Sequence, residues 1–161
     1  MAMSLRATED RDIEIAPATW RDLDAVHRLE VDSFPSPWRR EFFESEMNGE
    51  SRLHFVARRS GAVVGYVFAM WFFDEMHVNK IAVAQHERRK GIAEALMERC
   101  LEFAHANGIT TISLEVRQSN RGAQAFYKHL GFTAMYVRPR YYPDGEPAVV
   151  MVRQLEDWTE D

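Results

Sequence analysis

The chain has 161 residues, 46% of them hydrophobic, with a formal net charge of −5 and a single cysteine, Cys100. A chain of this size and composition suits one globular domain with a substantial core rather than a disordered segment. The acidic balance excludes broad nucleic-acid binding, no apolar run approaches the roughly 18 residues of a membrane span, and a lone cysteine cannot form an internal disulfide and fits a reducing cytoplasm.

The N-terminal stretch Met1 to Asp12 is polar, with mixed charge and no signal- or transit-peptide pattern. Ile13 to Ala16 reads as a short strand. Thr19 can cap a first helix, with Asp22 three residues on and Leu23, Val26 and Leu29 as its apolar stripe. Phe34 to Trp38 ends that helix, and Ser36 as cap with Pro37 at the first helical position predicts a second one carrying Trp38, Phe42 and Phe43. Leu53, Phe55 and Ala57 alternate, Ser60-Gly61 turns the chain, and Val63 to Phe73 returns as a hairpin. Asp74-Glu75 makes a second turn into the run Met76 to Val83.

That run breaks the period of a strand. Met76 and Val78 point to one face, while Ile81 and Val83 have the opposite parity. A bulge or a change of environment near Asn79-Lys80 is the way to reconcile them. Ala93, Leu96, Met97, Cys100, Phe103 and Ala104 then follow helical spacing up to Asn107-Gly108. Ile112, Leu114 and Val116 alternate as a strand, and Ser119-Asn120 can cap a short helix that ends before Gly131. Phe132 to Val137 and Ala148 to Val152 close the chain as two strands. The order β-α-α-β-β-β-α-β-α-β-β predicts an α/β fold on a mixed, mostly antiparallel sheet. Its strand-helix-strand crossover requires one parallel pair.

The chemistry concentrates in HVNKIAVAQHERRKGIAEALMERC, His77 to Cys100. Arg88, Arg89 and Lys90 stand directly before a helix, where the macrodipole is already positive. A helix start with unpaired N–H groups, with Gly91 allowing close backbone approach and Ala93 small, can hold phosphate, and the cations add charge for more than one. A solvated basic loop before an amphipathic helix explains the same residues. No P-loop and no dinucleotide fingerprint is present. A bulge upstream would splay this strand from the parallel strand at Thr111 to Val116 and open a crevice at their C-terminal ends.

Arg88-x-x-Gly91-x-Ala93 resembles the pyrophosphate motif of the GNAT superfamily of N-acetyltransferases. ISLEVRQSNRGAQAFYKHLGF, Ile112 to Phe132, is similar to that family's second half almost throughout. FPSPWRREFF and RPRYYPDGEPAVVM resemble the branch of bacterial ribosomal-protein-alanine N-acetyltransferases. The resemblance spans about residues 12 to 154, so residues 1–161 are read as a single domain of this family with short polar termini. It implies the GNAT fold, in which the sheet splays between its two parallel strands and is flanked by helices.

The resemblance further implies acetyl-CoA as co-substrate. Its pantetheine would pair along Ile81, Ala82 and Val83, and its pyrophosphate would sit on Arg88, Arg89, Lys90, Gly91, Ile92, Ala93 and Glu94. Asn120 matches a cofactor-touching asparagine, and equally serves as a helix cap. Glu115 matches the branch's general base, needed because an amine is protonated near neutral pH. Without that match it reads as a solvated glutamate. Tyr127 matches the residue that protonates the leaving thiolate, and its spacing with Ala123 and Leu130 also suits a core aromatic. Phe34, Pro35, Tyr141 and Tyr142 match the loops that frame the acceptor, though tyrosines there also suit ordinary loop packing.

The activity implied is acetyl transfer to the N-terminal amine of a protein, with a ribosomal protein among the candidate partners, in the cytoplasm. Lysine side chains, polyamines and other small amines are alternative acceptors, and a CoA-binding sensor is the non-enzymatic alternative. No metal is implied, since the six histidines show no ligand spacing. Neither nucleic acid nor membrane is expected as a partner, and the oligomeric state stays open between monomer and weak dimer.

Overall fold

A computed structural model describes residues 12–155, and the polar termini noted above lie outside the described residues apart from Asp12. The strands are β1 (Ile13–Pro17), β2 (Arg52–Arg59), β3 (Ala62–Phe72), β4 (Glu75–Val83), β5 (Thr111–Arg117), β6 (Thr133–Arg138) and β7 (Ala148–Gln154). The helices are α1 (Leu23–Ser33), α2 (Arg40–Asn48), α3 (Ile92–Ala106) and α4 (Arg121–His129). The strands form one sheet in the order β1-β2-β3-β4-β5-β7-β6. Among the described residues only β4 and β5 pair in parallel, joined by α3 as the crossover, and the other neighbours are antiparallel. No helix among the described residues is long and apolar enough to cross a membrane.

Successive residues of β3 show how the two faces are covered, because neighbouring side chains point opposite ways. The Tyr66 hydroxyl donates to Glu30 on α1, and Tyr66 and Phe68 both pack on Phe43 of α2, at 5.8 and 5.0 Å between ring centres. Gly65, next to Tyr66, faces α3 instead. A Cβ there would lie 3.1 Å from the Ala82 carbonyl and 3.4 Å from Ile92 and Leu96. The missing side chain lets the first turns of α3 close onto the sheet. The apolar stripes read from spacing are the buried ones: Leu23, Val26 and Leu29 on α1, Leu96, Met97 and Cys100 on α3, and Ile112, Leu114 and Val116 on β5.

Thr19 and Asp22 form the predicted capping pair, with the Thr19 N–H and hydroxyl 2.8 and 3.1 Å from the Asp22 carboxylate. The first turn, Trp20–Asp22, is a tight 3-10 turn that leads into α1. The second helix departs from expectation, starting at Arg40 and not at Pro37. The reason is tertiary. The Trp38 N–H donates to the buried Glu30 carboxylate at 2.8 Å, which holds Phe34 to Trp38 off the helix.

The parity break is a β-bulge. Phe68 lies opposite Lys80 and Ala69 opposite Val78, leaving Asn79 as the extra residue of β4. Asn79 reaches Glu46 on α2 and Lys80 reaches Glu30 on α1, so two successive side chains share one face. β4 and β5 pair only at Glu75–Thr111, Met76–Ile112 and His77–Ser113, and then part.

Candidate active site

Beyond His77, β4 stays paired to β3 through Ile81–Val67, Ala82–Tyr66 and Val83–Gly65. Its other edge has no β5 partner there, so backbone groups of Ile81 to Val83 border the gap. At the far end a 3-10 turn, Gln85–Glu87, leads through Arg88, Arg89 and Lys90 to Gly91, whose φ of 83° is a left-handed conformation that glycine adopts at little cost. Ile92, Ala93 and Glu94 open α3, where N–H groups of a first turn have no intrahelical acceptor.

The basic triplet does more than present charge. Arg88 Nε donates to the Val83 carbonyl at 3.0 Å, and Lys90 Nζ lies 3.4 Å from Glu87. Glu87 is buried and held by Arg59 through two contacts, at 2.6 and 2.8 Å. The Arg59 hydrogen bond, helped by Lys90, keeps its carboxyl below the usual range against the cost of burial. Two of the three cations therefore brace the loop, a role invisible in the sequence because Arg59 comes from β2.

A polar cluster lines the face of the bulge. His77 Nε2 lies 2.6 Å from Glu115 Oε1, and His77 Nδ1 lies 2.5 Å from Asn79 Oδ1. Asn79 Nδ2 donates to Glu46 at 3.2 Å, and Arg138 lies 3.5 Å from the other Glu115 oxygen. Burial opposes the charge of Glu115, but the hydrogen bond and charge of His77, with Arg138, outweigh it and hold the carboxyl below its ordinary value. The same contact raises His77 against its own burial.

Two loops flank the cluster. In the Arg138 to Pro147 loop, Arg138 stacks over Tyr141 at 4.7 Å and Arg117 over Tyr142 at 4.2 Å. Arg117 is itself fixed by Asp144 and Glu146, each at 2.8 Å. Burial pushes Tyr142 up to about 12 and also raises Tyr141, which feels the Glu115 charge. On the other side, Phe34 carries Lys80 Nζ 3.7 Å from its ring centre, with Pro35 next to it in the loop.

Tyr127 on α4 is 9% exposed and packs edge-on against Phe126 and Phe132. Burial, with the neighbouring Tyr142, drives its hydroxyl pKa well up. Tyr142 adds to the rise at Tyr127, and Glu115 in turn adds to the rise at Tyr142. Asn120 Oδ1 accepts the Ala123 N–H at 3.0 Å, so its oxygen serves as the helix cap and its amino group is what a ligand could meet. His77, Asn79, Lys80, Arg117 and Arg138 are not among the site residues expected from the sequence, although Asn79-Lys80 is the expected place of the bulge. The one signal for His77 was its parity, opposite to Met76 and Val78, which puts it on the polar face of β4.

A family model described as the acetyltransferase (GNAT) family matches residues 23–132. The chain is 35% identical over 133 residues to the ribosomal protein bS18-alanine N-acetyltransferase of Escherichia coli K12, covering 81% of this chain and 89% of that protein. It is 33% identical over 158 residues to an N-alpha-acetyltransferase of Saccharolobus solfataricus, covering 90% and 95%. The crystal structure of the ribosomal-protein-S18-alanine N-acetyltransferase from Escherichia coli matches with a TM-score of 0.83 at 32% identity, over 90% of this chain and 95% of that one.

Proposed function

The chain belongs to the GNAT family of acetyltransferases, and on that premise we propose that it moves the acetyl group of acetyl-CoA to the N-terminal α-amine of a protein. The observation that carries the reading is the parting of β4 and β5 after His77, with a phosphate-suited helix start at one end and Glu115 on the polar face beside it. Acetyl-CoA supplies an activated thioester. The residues fit its shape and charge: a strand edge at Ile81 to Val83 that β5 leaves unpaired, with the Val83 carbonyl taken by Arg88, for an extended amide chain, and Gly91 to Glu94 at the start of α3 for the pyrophosphate. Arg89 adds charge from the loop.

Glu115 takes the proton that an α-ammonium must lose before its lone pair can attack. Its low pKa and its position on the polar face keep it ionised and ready. Tyr127, whose buried hydroxyl stays protonated through the neutral range, gives the proton that the departing sulfur needs. Phe34, Pro35, Tyr141 and Tyr142 form the two walls between which a peptide end enters. Relatives named for acetylating protein N-termini support that acceptor class, a ribosomal protein being the first candidate, and such a substrate puts the activity in the cytoplasm.

The test is an acceptor panel read by release of free CoA thiol. A peptide beginning with alanine should support turnover, and blocking its N-terminus should abolish it. Turnover on lysine side chains or spermine alone would overturn the N-terminal reading, and binding of acetyl-CoA without turnover on any amine would favour a sensor.

A further inference from the structure

We propose that His77 and Glu115 work as one proton-accepting unit, with the proton taken from the acceptor held between imidazole and carboxylate and the imidazole tautomer locked by Asn79. It rests on the reading of Glu115 as the group that faces the acceptor amine.

The lock follows from donor and acceptor counting. An ionised Glu46 can only accept, so Asn79 turns its amino group toward it, at 3.2 Å. That aims the Asn79 carbonyl oxygen at His77 Nδ1, 2.5 Å away. An amide oxygen also only accepts, so Nδ1 carries a proton in every charge state of the pair. The exchangeable proton then has one place, between His77 Nε2 and Glu115 Oε1 at 2.6 Å. When it is absent, an imidazole lone pair and a carboxylate oxygen confront each other at hydrogen-bond distance. The pair therefore binds a proton more tightly than a lone glutamate would, and its titration belongs to both residues together.

Among the described residues, the charged and titratable groups around the pair include Lys80, beside Asn79 on the bulged face of β4, and Arg117, two residues beyond Glu115 on β5. Arg138 of β6 is 3.5 Å from the far carboxylate oxygen, Tyr141 and Tyr142 lie in the following loop, and Glu46 of α2 stands behind Asn79 with Arg52 of β2 at 3.2 Å. From β3 the residue opposite His77 is Met70, which does not titrate. When the pair holds its proton, that proton sits on the imidazole side, consistent with a raised His77 and a lowered Glu115. The bulge gains a purpose from this, since Asn79, its extra residue, is what fixes the tautomer.

The protons balance. The empty pair accepts one proton from the acceptor's ammonium. The freed lone pair forms the C–N bond as the C–S bond breaks. Tyr127 protonates the thiolate, and the second nitrogen proton replaces the one that Tyr127 gave up. The proton on the pair returns to solvent before the next turnover, so one proton is released per transfer.

The deciding comparison is kcat against pH at saturating peptide and acetyl-CoA, for the wild type and His77→Gln. The variant should be slower, and its acid limb should lie lower by about one unit or more, toward the carboxylate range. A slower variant with an unmoved acid limb would reduce His77 to a structural role and overturn the proposal. Nitrogen-15 NMR of the imidazole, which needs no acceptor, separates this from failure of the acetyl-transfer reading. Nδ1 should stay protonated from about pH 5 to about pH 9 while Nε2 titrates, and Glu115→Gln should move that titration to lower pH. A His77 protonated on Nε2 alone at high pH would overturn the lock whatever the acceptor proves to be.

Discussion

The ammonium of Lys80 lies 2.9 Å from the carboxylate of Glu30 and 3.7 Å from the ring centre of Phe34. Glu30 has no exposed surface, and it also accepts the Tyr66 hydroxyl and the Trp38 N–H. Burial lowers the proton affinity of Lys80, and the Glu30 charge works to restore it. One buried carboxylate thus ties α1, the Phe34 to Trp38 loop, β3 and the bulged part of β4 together, on one side of the proposed acceptor slot.

Removing the charge of Glu30 leaves Lys80 buried without its counter-ion. Glu30→Gln should cost about 3–5 kcal/mol of stability, the usual penalty for breaking a buried pair from one side. Thermal unfolding should show a fall of roughly 6–20 °C for a chain of this length. A fall of a degree or less would mean that water reaches Lys80 once the pair is broken.

Glu115→Gln keeps the shape of the side chain and removes its basicity. The expected loss in kcat is about 10²–10⁴-fold, with acetyl-CoA affinity unchanged by calorimetry. Full activity across the pH range would remove Glu115 from the chemistry.

Tyr127→Phe keeps the ring that packs on Phe126 and Phe132 and deletes only the hydroxyl. Turnover should slow by about tenfold or more while acetyl-CoA binding is retained, because a proton donor is lost and a packing group is not. A variant with wild-type kcat would assign Tyr127 to the core alone.

Gly91 holds a φ of 83° directly before α3. A Cβ in that conformation costs about 1–2 kcal/mol, so Gly91→Ala should weaken acetyl-CoA binding by roughly 5- to 30-fold through distortion of the helix start. Binding titration reads this directly, and an unchanged affinity would place the pyrophosphate elsewhere.

The aromatic loop should fail in acid. Hydrogen bonds from Ser119 and Arg117 hold Glu146 down at about 2, against an ordinary value of 4.5. A depressed carboxyl contributes stability that is present above its ordinary value and is lost as pH falls through the folded one. The wild type should therefore lose thermal stability between about pH 4.5 and about pH 2, and Glu146→Gln should show a shallower decline over that window. Parallel curves for the two proteins would show that the loop is held without this carboxylate.

Much of the fold is legible because its signals are local. Alternation marks β5, helical spacing and the Asn107-Gly108 stop mark α3, and Thr19 with Asp22 marks the entry to α1. The bulge is legible as well, since Met76 and Val78 cannot share a face with Ile81 and Val83 in an unbroken strand. The start of α2 was misplaced by three residues because the Trp38 N–H is taken by Glu30, a partner eight positions back whose burial no local pattern records.

The cluster around Glu115 divides the same way. Side-chain alternation, a property of the backbone alone, is enough to turn Glu115 away from the apolar face of β5 and His77 away from that of β4. That the two meet depends on the parallel register, which pairs His77 with Ser113 and so puts the imidazole within 2.6 Å of a carboxylate two residues further on. The two parallel strands are joined through α3, whose Ile92 and Leu96 lie close over Gly65 of the sheet, and Arg138 stacks on Tyr141 in the loop between β6 and β7. Periodicity and turn chemistry act over a few neighbouring residues and are written into the chain. Contacts between residues 38 positions apart exist only once the core has fixed which strand lies where.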